Sequence, residues 1–351
     1  VFDTNDEICK MLKANKLLFK KESITHSYPY CWRSDTKLMY RAVDSWFIKV
    51  STIRDKLVKN NQEVNWVPDY VGKQRFNNWL ENARDWNFSR KRYWGCTIPI
   101  WYNIQDRNDI IVIGSIEELE KYSGIKINDL HRDTVDNIEF THNNKTYRRI
   151  EDVMDCWFES GSMPYAKDGI LNAPLKQAEF ICEGLDQTRG WFYTLLVIST
   201  ILDNKSPYKN VIVNGLVLAS DGKKMSKRLK NYPDPDEIIR KYGSDALRFY
   251  LLFSNASYGS PVSFKDSDVK TICSNITLGL FNTCKFYKDY IQLAISNGFE
   301  FNYSNNSSNI SDIWIKDITF SLLDDVKLKM DQYELKGIGD LIHNYIDKLN
   351  N

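Results

Sequence analysis

The chain has 351 residues, of which 42% are hydrophobic and 13% aromatic, so it can bury cores in about two or three domains of ~100–200 residues each. Its formal net charge of +1 excludes a global attraction to nucleic acid, which would need a local basic patch. Seven scattered cysteines without a CxxC pair indicate reduced, intracellular thiols and exclude a disulfide framework or a zinc ribbon. Because no apolar run approaches ~18 residues, we expect neither a membrane span nor a signal peptide.

The first third of the chain contains short, widely spaced elements. Apolar residues at helical spacing predict a helix over 4–19, and the proline-containing stretch 26–34 is typical of extended chain. A strand is predicted over 43–50. A further helix is predicted over 73–85, ending before Trp86.

The stretch 110–150 has the pattern of an insertion. Residues 110–113 form a β-branched run that predicts a strand. Ser115 followed by Glu118 is the capping-box pattern, which predicts a helix over 115–122. Nothing in this stretch suggests chemistry.

The best-defined unit is strand–helix–strand. Near-continuous apolar runs at 178–182 and 211–218 predict buried strands, and the stretch 187–202 between them predicts a helix. This order argues for a parallel βαβ crossover. Ligands of such sheets bind at the carboxyl ends of the strands, where Glu183–Gly184 and Ala219–Gly222 lie.

Beyond residue 230 the pattern becomes helical. The Pro- and Asp-rich stretch 233–237 predicts a helix start, Gly243 its end, and Ser244 the cap of a second helix. From about residue 265 the chain is predicted all-α, with a polar linker over 302–311.

A lysine-rich loop, Lys223–Arg228, follows the second buried strand directly. Ammonium groups and free backbone N–H groups at such a position can hold a polyphosphate. The alternative is a solvated Lys-rich turn. The sequence of the loop resembles the KMSKS motif of class I aminoacyl-tRNA synthetases, with Arg228 in place of the last Ser.

Four more segments, in this order ahead of the lysine loop, make the resemblance more specific. They are residues 26–33, 86–101, 155–161 and 183–192. Together with the loop they resemble isoleucyl-tRNA synthetases over nearly the whole chain, and the ending of the loop is similar to the eukaryotic-type branch. Relatives for valine and leucine differ at the last two segments.

The resemblance implies an α/β fold. We expect the second half of a class I Rossmann-like nucleotide-binding domain with an insertion, followed by an all-α helical domain. Residues 1–90 would be the returning leg of the editing insertion and the re-entry to the core, and residues 91–262 the catalytic half, with an insertion at about 102–150 and the KMSKS-type loop at 224–228. Residues 263–351 would begin the anticodon-binding helices.

The resemblance also implies a site for ATP and the aminoacyl-adenylate. Its residues would lie at the two strand ends and in the lysine loop: Glu183, Gly184, Asp186, Gln187, Asn214, Gly215, Val217 and Met225. Lys224, Ser226 and Lys227 would be catalytic, because their charges and hydroxyl can stabilise the leaving pyrophosphate. Asp186 and Gln187 could instead only cap a helix, and Glu183 could be a solvated strand-end acid.

Trp157 and Trp191 are predicted to line the amino-acid pocket. Large rigid rings suit a branched aliphatic side chain, and core packing is the alternative for each ring. The basic cluster of Arg90, Lys91 and Arg92 beside Trp94 is either a tRNA contact or a solvated face.

The implied function is isoleucine–tRNA ligation, with isoleucine, ATP and tRNA(Ile) as substrates, in a cytoplasmic protein that we expect to be monomeric. Mg²⁺ would accompany ATP, and no protein-bound metal, zinc included, is expected here. None of the four histidines lies in an HxGH string. The resemblance places that element and the editing site ahead of this chain, so we expect an internal fragment that is inactive alone.

Three alternatives stay open at this point. A valine- or leucine-specific synthetase would share the lysine loop. A non-catalytic tRNA-binding paralogue would share the fold without the reaction. A generic nucleotidyltransferase would explain the lysine loop but not the segments that carry Trp157 and Trp191.

Overall fold

The computed structural model describes residues 4–31, 34–167, 174–226, 230–300 and 307–350. The chain divides into two compact units, Val1–Asp44 and Ser45–Asn351. The first unit contains helix α1 (Thr4–Ala14). This helix is shorter than the predicted one, because Lys16 adopts a positive φ of 57° two residues after its end.

The second unit contains strands that form five small sheets within the described residues. In chain order the strands are β1 (Phe47–Ile48), β2 (Asn65–Val67), β3 (Trp86–Asn87), β4 (Ser89–Arg90), β5 (Ile100–Asn103), β6 (Asp106–Val112), β7 (Glu139–His142), β8 (Lys145–Arg149), β9 (Val153–Met154), β10 (Ala178–Gly184), β11 (Tyr208–Asn214), β12 (Val217–Leu218) and β13 (Val262–Ser263).

Helices separate these strands and make up the C-terminal third of the chain. In chain order they are α2 (Arg54–Gln62), α3 (Asn77–Glu81), α4 (Ile116–Ser123), α5 (Arg132–Val135), α6 (Cys156–Gly161), α7 (Met163–Ala166), α8 (Trp191–Asp203), α9 (Pro235–Tyr242), α10 (Ser244–Phe253), α11 (Asp266–Ile272), α12 (Gly279–Ser296), α13 (Ile310–Asp331) and α14 (Ile338–Asn350). Of the helix predicted over 73–85, only Asn77–Glu81 is α-helical (α3); a π-helical turn, Val71–Phe76, precedes it, and the helix ends four residues earlier than predicted.

The central sheet is parallel, in the order β10-β11-β2. The predicted βαβ crossover is therefore confirmed, with β10, α8 and β11 as its parts. Helix α8 begins later than predicted, because residues Leu185–Arg189 form a 3₁₀ turn first. The predicted second strand ends at Asn214, because the next N–H, that of Gly215, bonds to the carbonyl of Ala256 instead.

The core lies between this sheet and helix α8, which is apolar on nearly every side. Nine consecutive residues of α8, from Phe192 to Thr200, are buried, as expected for a helix covered all round. Tyr208 at the start of β11 donates its hydroxyl to the carbonyl of Phe192. Burial raises the pKa of Tyr208 far above its usual range, so this phenol stays neutral and the strand–helix contact holds at all physiological pH values.

Residues 100–149 form a four-stranded antiparallel sheet in the order β6-β5-β8-β7. Its own apolar core contains Trp101, Leu119 and Phe140. The predicted helix of this stretch is confirmed as α4, since the Ser115 hydroxyl accepts the N–H of Glu118. The Glu118 carboxylate accepts the N–H of Gly114, one residue before the position expected of a capping box.

Beyond the lysine loop, Asp234 caps α9 through the N–H of Asp236, and α10 follows at once. The prediction of Ser244 as a cap was wrong: Ser244 is the first helical residue, and Gly243, with a φ of +85°, occupies the cap position. The predicted all-α region is confirmed by α11 to α14. The predicted linker lies partly outside the described residues, and α13 begins at Ile310.

Helices α6 and α8 approach each other closely at Gly161. A Cβ added at Gly161 would lie 3.0 Å from the backbone carbonyl of Thr194, and backbone cannot yield as a side chain does. We expect Gly161→Val to cost about 1–3 kcal/mol of stability, measured as a lower urea midpoint of tryptophan fluorescence.

Gly114→Val is the matched control, because the nearest atom to its added Cβ is a carboxylate oxygen of Glu118 at 3.6 Å. Equal midpoints for the two variants would contradict the packing argument.

Candidate active site

The carboxyl edge of the central sheet brings two predicted segments together. Strand β10 ends at Glu183–Gly184 and β11 at Asn214, and Gly184 pairs with Asn214 in the register of the two strands. The Asn214 amide also donates to the sulfur of Cys182, at 3.2 Å. The Glu183 side chain is exposed at this edge. A ligand above the edge can therefore contact both segments at once.

In the turn after Gly184, the side chain of Gln187 caps the first residue of helix α8. Its Oε1 accepts the N–H of Trp191 at 2.9 Å, and its Nε2 donates to Asp186 at 3.0 Å. Gln187 thus caps the helix, which is the simpler of the two roles considered from the sequence. A Cβ on Gly184 would lie 2.7 Å from the Asp186 carboxylate, so the glycine allows this tight turn.

The two tryptophans of the predicted amino-acid pocket occupy different environments. Trp157, at the start of α6, is 40% exposed, and its ring lies 3.3 Å from the position of a Cβ at Gly190. Trp191 is half-buried against the core, and its Nε1 donates to the carbonyl of Ser160 at 3.0 Å. Trp157 therefore offers a free ring face, whereas Trp191 ties α8 to α6.

A cavity of about 640 Å³ lies beside Trp157. Its aromatic lining residues are Trp79, Trp86, Trp157 and Tyr193. This volume falls within the range of small-molecule sites, which are mostly apolar with a few polar groups.

A buried carboxylate, that of Asp155, fixes the start of α6. Its Oδ1 caps the helix by accepting the N–H of Trp157. Its Oδ2 accepts from Arg90 at 2.7 Å and from the indole N–H of Trp86 at 3.3 Å. Sequence analysis missed this network and weighed Arg90 only as a tRNA contact or solvated cation. The signal available was an Asp at the N-cap position of the segment 155–161.

The lysine loop is a tight turn on a short hairpin. Leu218 pairs with Lys224, the N–H of Gly222 bonds to the carbonyl of Ala219, and Gly222 has a φ of +78°. Lys223 pairs with Asp221 at 3.4 Å, and the backbone N–H of Lys223 lowers the pKa of that carboxyl. Among the described residues, the exposed Lys224 ammonium has no ion pair, so it is available to an anion.

Asn231 holds the far side of the same loop. Its Oδ1 accepts the N–H of Ser226 at 2.9 Å, and its Nδ2 donates to the carbonyl of Lys224 at 3.2 Å. The Met225 side chain packs with Val217 into the apolar cluster of α9 and α11. The predicted catalytic Lys227, like Arg228, lies outside the described residues.

Gly215 is required by a close approach of backbone to backbone. A Cβ there would lie 2.0 Å from the carbonyl oxygen of Ser260, and the Gly215 N–H donates to Ala256 at 2.7 Å. From the sequence, Gly215 was predicted only as part of the ATP and adenylate site, and its contact with the segment 254–263 was not predicted. That segment includes β13, which pairs with β12 in parallel.

The residues that the structure describes contain neither a candidate metal cluster nor a candidate membrane span. No group of three or more His, Cys, Asp or Glu side chains is arranged to hold a metal ion there. In the same part of the chain, no helix combines the length and apolar character needed to cross a membrane.

Residues 9–265 match the family model of class I tRNA synthetases (I, L, M and V). The chain belongs to this family. Its fold agrees with methionyl-tRNA synthetase of Mycobacterium tuberculosis in complex with methionyl-adenylate, at a TM-score of 0.63 and 15% identity, over 93% of this chain and 55% of that one. The agreement with the family shows that the predicted fold class is correct.

Curated relatives of this synthetase chain include the probable cytoplasmic isoleucine–tRNA ligase of Enterocytozoon bieneusi, 45% identical over 99% of this chain and 38% of that protein. The cytoplasmic isoleucine–tRNA ligase of Mus musculus is 44% identical over 100% of this chain and 29% of its own length. The chain thus spans about a third of the length of the relatives that it matches.

The hydrogen bonds of Asp155 predict that loss of Arg90 lowers the free energy of unfolding. Arg90→Gln leaves the buried Asp155 carboxylate, 5% exposed, without its cation. We expect a loss of about 2 kcal/mol, below the full cost of breaking a buried pair because Arg90 itself is 39% exposed. Urea unfolding measures it.

Lys73→Gln provides the comparison, since it removes an ion pair with Asp69 whose two side chains are both mostly exposed. A loss under ~0.5 kcal/mol is expected there. Similar losses in the two variants would show that Asp155 does not depend on Arg90.

Proposed function

We propose that this chain carries the lysine-loop half of the aminoacyl-adenylate site of an isoleucine–tRNA ligase. The observation that supports it most is identity of about 45% to isoleucine–tRNA ligases across nearly the entire chain. The geometry supports the same proposal, because the strand ends at Gly184 and Asn214 are neighbours, and the partly exposed ring of Trp157 lines a cavity together with Gly190.

The reaction has two steps. The carboxylate of isoleucine attacks the α-phosphate of ATP, and pyrophosphate leaves with the bonding electron pair. A ribose hydroxyl at the 3′ end of tRNA(Ile) then attacks the acyl carbon, giving the ester and AMP. Negative charge grows on phosphate oxygens in the first step, so fixed cations near them lower the barrier.

The lysine loop supplies those cations in this proposal. Lys224 and Lys227 neutralise the leaving pyrophosphate, and Ser226 donates a hydrogen bond to it. The Asn231 side chain fixes the backbone of Lys224 and Ser226, so the charge is positioned before the reaction. ATP arrives as its Mg²⁺ complex.

The adenylate lies along the carboxyl edge of the sheet. Glu183, Asp186 and Asn214 offer hydrogen-bond acceptors and donors to its polar groups, while Gly184 permits close approach. Gln187 acts mainly by capping α8. Gly215, Val217 and Met225 contribute backbone, since the Val217 and Met225 side chains are committed to packing.

The amino-acid pocket uses the exposed face of Trp157, with Trp191 holding α6 and α8 together behind it. An apolar pocket gains only about 1–3 kcal/mol from one methylene, isoleucine against valine in these synthetases being the reference case. We therefore expect limited rejection of valine in adenylate formation.

The remaining features of the proposal are those implied by the sequence resemblance. We propose a cytoplasmic protein that acts on tRNA(Ile) as a monomer. We also propose residues 1–90 as the return from an editing insertion and re-entry, 91–262 as the catalytic half, and 263–351 as the start of an anticodon-binding helical domain.

Lys224→Ala in the full-length gene product should lower isoleucine-dependent ATP–pyrophosphate exchange by about 100-fold or more, as for removal of one transition-state donor. Isoleucine affinity should change by less than about threefold, because the lysine contacts only phosphate. Lys227→Ala should behave in the same way.

Lys223→Ala is the matched control, since its ammonium is held by Asp221. Exchange should stay within about threefold of wild type, the range expected when a surface charge outside the site is removed. A fall in exchange in Lys223→Ala equal to that in Lys224→Ala would contradict the assignment.

An amino-acid panel in the exchange assay tests the substrate. Isoleucine should give the highest kcat/KM, with valine about 10–200-fold lower. A preference for valine or leucine would identify the protein as the synthetase for that amino acid. Absence of exchange with every amino acid would favour a non-catalytic tRNA-binding paralogue.

A further inference from the structure

The antiparallel sheet of residues 100–149, the insertion, contains a buried charge. The side chain of Arg149, at the end of β8, is fully buried. Its Nε donates to the Asp136 carboxylate at 2.8 Å, and its Nη2 donates to the same oxygen. A buried guanidinium is costly unless it is paired and hydrogen-bonded. The pair therefore holds two parts of the insertion together, and neither residue belongs to the site described above.

Arg149 also reaches the chain that precedes α6. Its Nη1 donates to the carbonyl of Asp152 at 3.0 Å and to the carbonyl of Ile98 at 3.3 Å. Asp152 directly precedes β9, and Asp155 directly follows it. Because β9 is two residues long, a contact at Asp152 fixes the backbone close to the carboxylate that caps α6.

A second arginine ties Asp136 to the neighbouring strand. The Nε of Arg132 donates to the other oxygen of the Asp136 carboxylate at 2.7 Å, and its Nη1 donates to the carbonyl of Arg92 at 2.9 Å. The N–H of Arg92 in turn bonds to the carbonyl of Arg90. Strand β4 ends at Arg90 and pairs with β9 in antiparallel orientation. One carboxylate therefore anchors both strands of the β4–β9 pair.

The position of Asp136 is set by the core of the insertion. Val135, the residue before it, is 1% exposed and belongs to the same apolar cluster as Trp101 and Tyr147. Trp101 pairs with Arg149 in the register of β5 and β8. Because close-packed cores deform little, the two arginines attach the β4–β9 pair to a stiff support.

The anchored strands carry one wall of the predicted amino-acid pocket. Arg90 ends β4 and binds Asp155, and the Asp155 carboxylate accepts the N–H of Trp157. All three residues line the cavity of about 640 Å³, whereas no described residue of the insertion lines it. The insertion can therefore act on the pocket only indirectly, by way of strands such as β4 and β9.

We propose that Arg132, Asp136 and Arg149 are positioning residues for amino-acid recognition. They hold the β4–β9 pair, and through it the ring of Trp157, in the geometry that receives an aliphatic side chain. A displacement of about 1 Å caused by a distant mutation can cost up to about 100-fold in rate. The choice of isoleucine as the ligand rests on the proposed function.

Arg132→Gln in the full-length gene product tests the tie to Arg92. This variant keeps the pair of Arg149 with Asp136, so the insertion retains its buried ion pair. The KM for isoleucine in ATP–pyrophosphate exchange should rise about tenfold, whereas kcat and the KM for ATP should stay within about twofold of wild type. A rise in KM alone reports weaker binding of the ligand, whereas a loss of folded protein would lower kcat.

Arg149→Lys tests the other contact of Asp136. It keeps a cation beside the carboxylate but loses the planar fork that also reaches the two backbone carbonyls. The same rise in the KM for isoleucine is expected. Where this buried substitution prevents folding, Arg132→Gln alone decides the outcome.

Lys145→Gln is the matched control. It removes an ion pair with Asp109 from the same sheet and leaves both arginines of Asp136 in place. The KM for isoleucine should stay within about twofold of wild type, as for loss of an exposed ion pair. Equal rises in Lys145→Gln and Arg132→Gln would contradict the proposal, because any weakening of the insertion would then have the same effect.

Hydrogen–deuterium exchange of the same variants provides a measurement that needs no activity. Peptides over 153–161 contain the capped N–H of Trp157 at the start of α6. In Arg132→Gln and Arg149→Lys these amides should exchange about threefold faster than in wild type, or more, and in Lys145→Gln at the wild-type rate. A role confined to the insertion would change only the amides of the insertion.

Two results would overturn the proposal. One is a KM for isoleucine in Arg132→Gln within about twofold of the wild-type value. The other is unchanged deuterium exchange of residues 153–161 in both arginine variants. A wild-type enzyme that is inactive with every amino acid would contradict the proposed function instead, and deuterium exchange would still decide whether the insertion holds the two strands. An unchanged KM in an active enzyme would leave the proposed function standing.

Discussion

The buried carboxylate of Asp155 is the interaction on which the candidate site depends. Asp155 follows β9, and its carboxylate caps the start of α6. The same carboxylate accepts hydrogen bonds from Arg90 and Trp86, which lie on two earlier strands. A carboxylate with 5% exposure is costly without partners. Its hydrogen bonds therefore fix the geometry between α6 and two strands that lie more than sixty residues earlier in the chain.

That geometry places Arg90, Asp155 and Trp157 in a wall shared by two cavities. One cavity is lined by Trp79, Trp86 and Gly190, and the other is lined by Trp94 and His131, whose rings stack on each other. Because one wall serves both cavities, a ligand in either one can contact the same three side chains. The two cavities thus meet at Trp157, a residue of the proposed amino-acid pocket.

The strongest patterns in the sequence predicted the architecture well. Two β-branched runs around an apolar helix predicted the parallel crossover, since such strands are buried on both sides. The start of α4 and the end of α9 followed from capping residues, which act over three or four positions. The prediction of Ser244 as the cap was wrong because the backbone conformation decides which residue occupies the cap position, and here that residue is Gly243. The presence of a serine does not determine that conformation.

The parts of the site that cannot be predicted from the sequence depend on contacts between residues far apart in the chain. Arg90 and Asp155 are 65 positions apart, and the backbone of Ser260 reaches Gly215 from a different region of the chain. The spacing of motifs along the chain carries no information on which distant residues come into contact. The resemblance of the segments predicted which residues belong to the site. Packing, in contrast, determines that Met225 and Val217 point into a helical cluster and that Gln187 caps α8.

The packing of Met225 has a mechanical consequence. Met225 lies between Lys224 and Ser226, and its side chain packs against the cluster that includes Ile238 of α9 and Val269 of α11. A displacement of those helices would therefore shift the loop backbone that carries Lys224, because Met225 is adjacent to Lys224 in the chain. Tilting of α9 or α11 would thus change the position of the Lys224 ammonium relative to the carboxyl edge of the central sheet.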